Sequence, residues 1–143
     1  MIRFPYRADT RTGVPRWRPL IILFVEGPLA RRRVKGLLDT GSADTILPLD
    51  LATSLGIKLS QAGRAGVTWR GQSYPLQFGD VEFEVTDGNS GYQWQATVGF
   101  SAAPIPYILL GNRGCLQFFD ATFCGKDLAV DLTINRSFSG IVL

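Results

Sequence analysis

The sequence predicts an all-β domain with one or two short helices. The chain has 16 Gly and 8 Pro among its 143 residues, a density of turn-forming residues that favours many short elements. Apolar and polar residues alternate in several segments, which is typical of half-buried strands. Hydrophobic residues make up 45% and charged residues 19% of the chain, so we expect one folded domain rather than disorder.

The start of the chain is predicted to be an arm followed by a pair of strands. Residues 1–18 contain prolines that block regular helix. We therefore expect an extended N-terminal arm there, docked on the body or on a partner, and a domain over residues 19–143. A continuous apolar run at residues 20–25 predicts a buried strand. Residues 29–38 are expected to be its hairpin partner.

A third strand and a helix come next. Residues 45–47, which are Thr-Ile-Leu, predict the strand. Residues 50–56 predict a short helix, in which Asp50 is the N-cap and Gly56 ends the helix.

Two hairpins are predicted for the middle of the chain. Residues 60–73 are polar and rich in Gly, which indicates a mobile hairpin. Trp69 in this hairpin either covers a ligand or folds back on its own domain, because a large aromatic side chain needs a contact surface. Alternation at residues 76–85 and 92–98 predicts two paired strands, joined by a turn at residues 87–91.

The last part of the chain predicts an apolar strand at residues 107–110 and a helix of about two turns at residues 112–119. A final hairpin is expected from residues 121–123 and 128–134. Residues 137–143 either add a strand to a dimer interface or fray.

Composition excludes several kinds of chemistry. The chain has no His, so neither a Ser-His-Asp triad nor a histidine metal site is possible. Cys115 and Cys124 have no metal-binding or redox spacing. No glycine-rich phosphate loop is present. We therefore expect no metal and no cofactor, and acid–base chemistry must come from carboxylates or from strongly shifted Lys, Cys or Tyr.

Charge is distributed unevenly along the chain. Residues 1–35 carry nine basic and two acidic groups, whereas the rest carries six basic and ten acidic groups, for a total of +3. A basic arm is able to contact nucleic acid or an acidic surface. We favour a solvated arm and a charged turn at residues 31–33, because no interleaved aromatic and basic pattern follows. Nucleic acid is therefore not an expected partner.

The stretch from Val34 to Pro48 carries the chemistry. It places one carboxylate, Asp39, after the apolar Leu37-Leu38 and into a turn that Gly41 allows. A carboxylate in so apolar a setting is costly unless it is hydrogen-bonded or shares a proton. The simpler alternative for Asp39 is an ordinary turn residue whose side chain caps its own backbone.

This stretch resembles the active-site motif of the retropepsin-like aspartic proteases, in which an apolar pair precedes Asp-Thr-Gly-Ser or Asp-Thr-Gly-Ala and a short apolar strand follows. The family's flap hairpin is matched by residues 60–76, and its later apolar pair plus Gly by residues 108–111. Residues 118–123 are similar to the strand entry of small, single-domain bacterial members. The likeness covers about residues 19–134.

The resemblance implies a fold and a mechanism. The fold is half of a retropepsin-like closed β-barrel or sandwich with a flap hairpin. Two carboxylates that share one proton activate a water for peptide hydrolysis. Because the chain has a single Asp-Thr-Gly, the resemblance implies a homodimer in which both copies supply Asp39.

Roles for other residues also follow from the resemblance. In the active-site loop, Thr40 would bond across the interface, Gly41 would offer backbone N–H groups, and Ser42 would donate to the outer oxygen of Asp39. The flap would contact substrate through its tip strand, and the second glycine motif would support the loop. The residues concerned are Gly66, Val67, Thr68 and Trp69 in the flap and Leu110 and Gly111 in the second motif.

One departure from the family pattern lies after Gly111. The family usually has Gly-Arg-Asp or Gly-Arg-Asn there, whereas this chain has Gly111-Asn112-Arg113. The usual acidic partner of that Arg is also replaced, at Ala43. Loss of both partners leaves no buried unpaired charge, and Arg113 is expected to reach Asp44 instead.

The intact Asp39-Thr40-Gly41 favours an enzyme, an aspartic endopeptidase that acts on peptides or proteins. The competing class is a peptide-binding module with the same dimeric fold and little turnover. A nucleic-acid-binding protein is a third class that rests on charge alone. No apolar run is long enough to span a bilayer, and residues 1–10 lack the apolar core of a signal peptide. We therefore expect a cytoplasmic protein without a membrane partner.

Overall fold

A computed structural model describes the backbone of residues 1–143 and the side chains of all residues except 62–65. The chain forms short strands, one α-helix and one 3-10 turn at Leu116–Phe118. The strands are β1 (Ile2–Pro5), β2 (Arg7–Asp9), β3 (Arg16–Arg18), β4 (Leu20–Glu26), β5 (Arg31–Leu38), β6 (Ile46–Pro48), β7 (Ser60–Trp69), β8 (Gln72–Thr86), β9 (Gly91–Ser101), β10 (Ile108–Leu110), β11 (Phe119–Cys124), β12 (Ala129–Ile134) and β13 (Ile141–Val142), and the helix is α1 (Leu49–Leu55).

Eight strands form the main sheet in the order β13-β9-β6-β10-β5-β4-β8-β7, with β8 also paired to β9. A second sheet has the order β1-β12-β11, and β2 pairs with β3 alone. The predicted all-β class is confirmed. The hairpins β4–β5, β8–β9 and β11–β12 lie where alternation and apolar runs predict them.

Two clusters of apolar side chains fill the interior. The large cluster takes side chains from the main sheet, such as Phe83 and Phe100, and from the three-stranded sheet, such as Ile2 and Leu132. A smaller cluster, which we call the floor cluster, consists of the buried Ile46, Leu76 and Phe78 together with the half-buried Val67, Ile105 and Leu109. The burial of alternate residues along β8 and β9 is what the period of two in a strand requires.

The N-terminal segment is more regular than the predicted arm. Strand β1 pairs antiparallel with β12 and buries Ile2 and Phe4 in the large cluster. At the same pairing, Arg3 donates to both carboxylate oxygens of Asp131, at 2.7 and 2.8 Å. The segment therefore docks on its own chain as a strand. The domain boundary at residue 18 remains a prediction.

Of the two predicted helices, the first is present and the second is not. Helix α1 ends at Gly56, whose φ of 73° suits glycine, but Asp50 lies in its first turn and is not the N-cap that we expected. The predicted helix over residues 112–119 is wrong. Gly114 there has a φ of 94°, which ends helical geometry and leaves only the 3-10 turn.

The C-terminal residues add a strand to the main sheet. Strand β13 pairs antiparallel with β9, through Ile141 with Gln93 and Val142 with Tyr92. Its two side chains are exposed. No helix among the described residues is both long and apolar enough to cross a membrane.

Candidate active site

Asp39 follows the last residue of β5, where three strands meet. Strand β10 pairs in parallel with β5, matching Leu110 to Leu38, and antiparallel with β6, matching Leu109 to Ile46. The loop of residues 39–45 therefore runs from β5 to β6, and both of these strands pair with β10. This arrangement fixes both ends of the loop in the main sheet.

Backbone hydrogen bonds hold Asp39 from several sides. Its N–H donates to Leu110 O at 3.0 Å, and its carbonyl accepts from Ser42 N–H at 3.2 Å. Its side-chain Oδ1 accepts from Gly41 N–H at 2.9 Å. The carboxylate is half-buried, and no ion pair involves it among the described residues. Its second oxygen is thus available to another group.

The other loop residues differ in what they contact. Thr40 and Gly41 are exposed. The Ser42 hydroxyl donates to Asp44 O at 2.7 Å, so its one proton does not serve Asp39 as the family resemblance implied. A backbone carbonyl two residues along the chain is the nearer acceptor in this turn.

Thr45 was predicted to begin the third strand, but β6 begins at Ile46 and Thr45 ends the loop. It is fully buried, its N–H donates to Arg113 O at 3.0 Å, and its carbonyl accepts from Gly99 N–H at 2.8 Å. These two bonds tie the end of the loop to β9 and to the segment after β10. Its hydroxyl has no partner among the described residues.

The second glycine motif packs directly against the Asp39 loop. Leu110 is fully buried. Beyond it, Asn112 N–H donates to Ser42 O and Arg113 N–H donates to Ala43 O, both at 2.9 Å. A Cβ on Gly111 would overlap Asp44 O and lie 2.6 Å from Ser42 O. Only glycine permits this approach of the two backbones.

Arg113 and Asp44 lie in contact, as the sequence predicts. Arg113 Nε lies 3.8 Å from Asp44 Oδ1, and the two residues also form a backbone bridge. The Arg113 side chain is mostly exposed, so the backbone bonds, rather than this ion pair, hold the loop.

The hairpin of β7 and β8 ends in a two-residue turn at Arg70-Gly71. Both residues have positive φ, 50° and 78°, which is typical of a tight type I′ hairpin turn. The predicted flap residues 66–69 pair with residues 72–75. They therefore form the outer strand of this hairpin, immediately before its tip.

One flap side chain is seen to contact the rest of the domain. Val67 packs on the floor cluster, which contains Ile46 at the end of the Asp39 loop. Trp69 is half-buried and stacks near Arg70, whose Cζ lies 5.6 Å from the ring centroid. Thr68 and Gly66 are exposed. Of the predicted flap residues, Val67 is thus the one that reaches the neighbourhood of the loop.

Metal and thiol chemistry have no visible support at this site. The described residues contain no group of three acidic or Cys side chains placed to hold a metal ion. Burial raises the pKa of the Cys115 thiol to about 12, so it remains protonated and inert. Cys124 lies away from the loop, beside Arg3 and Asp131.

Comparison with known proteins found a likeness among solved structures but no sequence relative. No protein-family model matches the chain, and no curated protein matches it. Among solved structures, the chain is similar to the EIAV protease, a retroviral protease, in a complex with the inhibitor HBY-793. The two share 20% sequence identity with a TM-score of 0.50, over 66% of this chain and 82% of that chain. The fold is retropepsin-like.

Within this retropepsin-like fold, the two predicted motifs lie side by side. Asp39 and Gly111 are far apart in sequence, yet their segments are joined by the bond from Asp39 N–H to Leu110 O and by the two bonds that follow it. The roles of the predicted site residues, and the likeness to bacterial members, remain predictions. The neighbour is a viral protein, and a likeness at this identity establishes the fold alone.

Proposed function

We propose that this protein is an aspartic endopeptidase whose active site forms between two copies of the chain. The observation that carries the proposal is the setting of Asp39 in a retropepsin-like fold. One carboxylate oxygen is held by Gly41 N–H, the other is available, and the surrounding loop is fixed by backbone bonds to residues 110–113. A preorganised carboxylate of this kind suits general acid–base chemistry.

A second carboxylate is needed, and the acidic residues that have partners in the structure are engaged away from Asp39. Asp44 faces Arg113, Asp80 accepts from Thr97, and Asp131 is held by Arg3. Asp87 accepts backbone N–H groups in its own turn. The partner of Asp39 is therefore proposed to be Asp39 of the partner subunit, related by a two-fold axis that brings the exposed Thr40 and Gly41 of both copies together.

The proposed chemistry needs no cofactor. Two carboxylates at close range share one proton, because both cannot be ionised together. The ionised carboxylate takes a proton from the bound water as its oxygen attacks the peptide carbonyl carbon, and the protonated carboxylate gives its proton to the carbonyl oxygen. Collapse of the tetrahedral intermediate breaks the C–N bond, and the amine leaves with a proton from the dyad.

The proposed substrate is a peptide with apolar side chains near the cut bond. The floor cluster is apolar and lies between the flap, through Val67, and the Asp39 loop, through Ile46. A cavity of about 430 Å³ in the single chain is lined by residues such as Lys35 and Leu51, and not by Asp39. A cleft completed by a partner would not be enclosed in one copy, so this mismatch is expected.

A peptide-binding module with little turnover is the second candidate. The Ser42 hydroxyl donates to Asp44 O, which leaves the carboxylate with one fewer donor than the family resemblance implies. The assignment to small, single-domain bacterial members also stays a proposal. The structural neighbour, a retroviral protease, does not favour this finer assignment.

Substitution of Asp39 tests the enzyme proposal. We expect Asp39→Asn to abolish cleavage of a mixed peptide library at acidic pH, because the amide neither accepts nor releases the proton. The matched control is Asp120→Asn, an exposed carboxylate on β11, which should cleave as the wild type does. Product peptides are quantified by mass spectrometry.

The two candidates give different results in the same assay. Equal cleavage by wild type and Asp39→Asn would contradict the protease assignment. A wild type that binds peptides tightly but releases no products would favour the binding module. Thermal melts of both variants confirm that each is folded.

A further inference from the structure

The hairpin of β2 and β3 carries a buried carboxylate that orients one arginine. Asp9 is 8% exposed, and the Arg11 guanidinium binds it in a fork, with Nε to Oδ1 at 2.9 Å and Nη2 to Oδ2 at 2.8 Å. Arg11 N–H also donates to Oδ1 at 3.2 Å, and Arg18 Nε lies 3.4 Å from Oδ2. A bidentate fork of this kind fixes the plane of the guanidinium.

The fixed arginine contacts a residue 96 positions later in the chain. Arg11 Nη2 donates to Tyr107 Oη at 3.1 Å, and its Cζ lies 4.9 Å from the centroid of the Tyr107 ring. The contact thus combines a hydrogen bond with a cation–π interaction. It joins the N-terminal hairpin to the residue that immediately precedes β10.

Tyr107 belongs to a segment, residues 102–107, that few backbone hydrogen bonds tie to the rest of the domain. In the part of the chain that the structure describes, residues 102–107 pair with no strand, and their backbone bonds are local, such as Ile105 N–H to Ala103 O at 2.8 Å. Ile105 packs in the floor cluster beneath the flap. Together with Ile105, Pro106 and Tyr107 also line a cavity of about 430 Å³.

We propose that Arg11 is a positioning residue for the substrate cleft. Through Tyr107 it holds the 102–107 segment against the floor cluster, and so sets the shape of the apolar wall that a bound peptide meets. The inference rests on the proposed protease function. It gives the N-terminal hairpin a role in peptide binding that no other contact of this hairpin supplies among the described residues.

Two variants and a matched control test this role. Arg11→Ala removes the whole contact, whereas Tyr107→Phe removes the hydroxyl and leaves the Asp9–Arg11 pair intact. Arg16→Ala is the control, because Arg16 lies opposite Asp9 on the same hairpin, is exposed and forms no ion pair among the described residues. The readouts are KM and kcat on one apolar peptide, and amide hydrogen exchange of residues 102–108 without substrate.

We expect Arg11→Ala to raise KM about three- to tenfold and to speed exchange of the 102–108 amides by a similar factor, as loss of the solvent-exposed contact with Tyr107 predicts. Tyr107→Phe should shift both in the same direction by a smaller factor. kcat should stay within about twofold, because the Asp39 loop is untouched. Arg16→Ala should change none of these.

Each contrary outcome has a separate meaning. An active Arg11→Ala variant with unchanged KM, or unchanged exchange at residues 102–108, would overturn the positioning role alone. Equal changes in Arg16→Ala would overturn it too, since they would reflect net charge. Absence of turnover in the wild type would instead contradict the proposed function, and the exchange data would still report whether Arg11 holds the segment.

Discussion

Gly111 is the residue at which the Asp39 loop and the segment after β10 approach most closely. Its Cα faces the carbonyls of Ser42 and Asp44, with no space for a methyl group between them. The hydrogen bonds from Asn112 and Arg113 to the same loop depend on this approach. A side chain at this position would separate the two segments and release Asp39 from its setting.

We expect Gly111→Ala to lower the free energy of unfolding by about 3 kcal/mol, because the added Cβ overlaps backbone that cannot rotate away. Peptide cleavage should fall with it. Urea denaturation followed by fluorescence measures the loss. The matched control is Gly125→Ala, where nothing lies within 4 Å of the new Cβ, and a change within about 0.5 kcal/mol is expected. Similar losses in the two variants would contradict the close-approach explanation.

Single residues were predictable where local chemistry decides their place. Asp39 at a strand end and Gly56 at a helix end follow from neighbouring residues alone. The Ser42 hydroxyl and the buried Thr45 were not predictable, because each chooses its contact from carbonyls and apolar groups that only the folded chain brings near. Arg113 reaches Asp44, as we expected because the Arg of this segment lies one position later than in the family pattern.

Among the elements, β1 is attached by an ion pair placed at its centre. Arg3 lies directly opposite Asp131 on β12 and donates two hydrogen bonds to it. The hydrogen bonds from Arg3 hold the pKa of the Asp131 carboxyl below its usual range. The ionised form is therefore favoured by folding, and this contribution exists above pH 4, about the usual pKa of Asp, and fades as pH falls through the lowered pKa.

We expect Arg3→Ala to melt at a lower temperature than the wild type at pH 7. The difference should begin to narrow below about pH 4 and should keep shrinking as pH falls through the lowered pKa of Asp131 in the wild type. Circular dichroism melts across this range measure it. Arg33→Ala, an exposed cation on β5, is the control and should show no such narrowing. A gap independent of pH would show that Arg3 acts through packing alone.

Hairpins were the most predictable elements, because their period of two and their turns are both local. The strands β1 to β3 were not predicted, since β1 takes its partner from the other end of the chain. The helix expected at residues 112–119 failed for a different reason. Its apolar spacing fits a helix, but Gly114 takes a positive φ and its carbonyl accepts the Trp94 indole N–H at 2.8 Å.

At the scale of the whole molecule, the proposed site is incomplete in one copy. Mixing tests this directly. If Asp39→Asn chains exchange freely with an equal amount of wild type, only pairs of two wild-type chains are active. The activity should then fall to about one quarter of that of an unmixed sample with the same total concentration.

Independent monomers would instead retain about one half of the activity, which would contradict a shared dyad. The control mixes wild type with Asp120→Asn, for which no loss is expected. Sedimentation at the assay concentration reports the fraction of dimer. Specific activity should also fall on dilution below the dissociation constant of the dimer.

The pairing of β10 with β5 also sets an order of events during synthesis. Asp39 is translated early, but the strand and the backbone groups that hold its loop belong to residues 108–113. Contacts between such distant segments form late in folding. A nascent chain that ends before these residues therefore carries the carboxylate without the loop geometry that would make it reactive. The proposed hydrolytic activity therefore requires that residues 108–113 have left the ribosome.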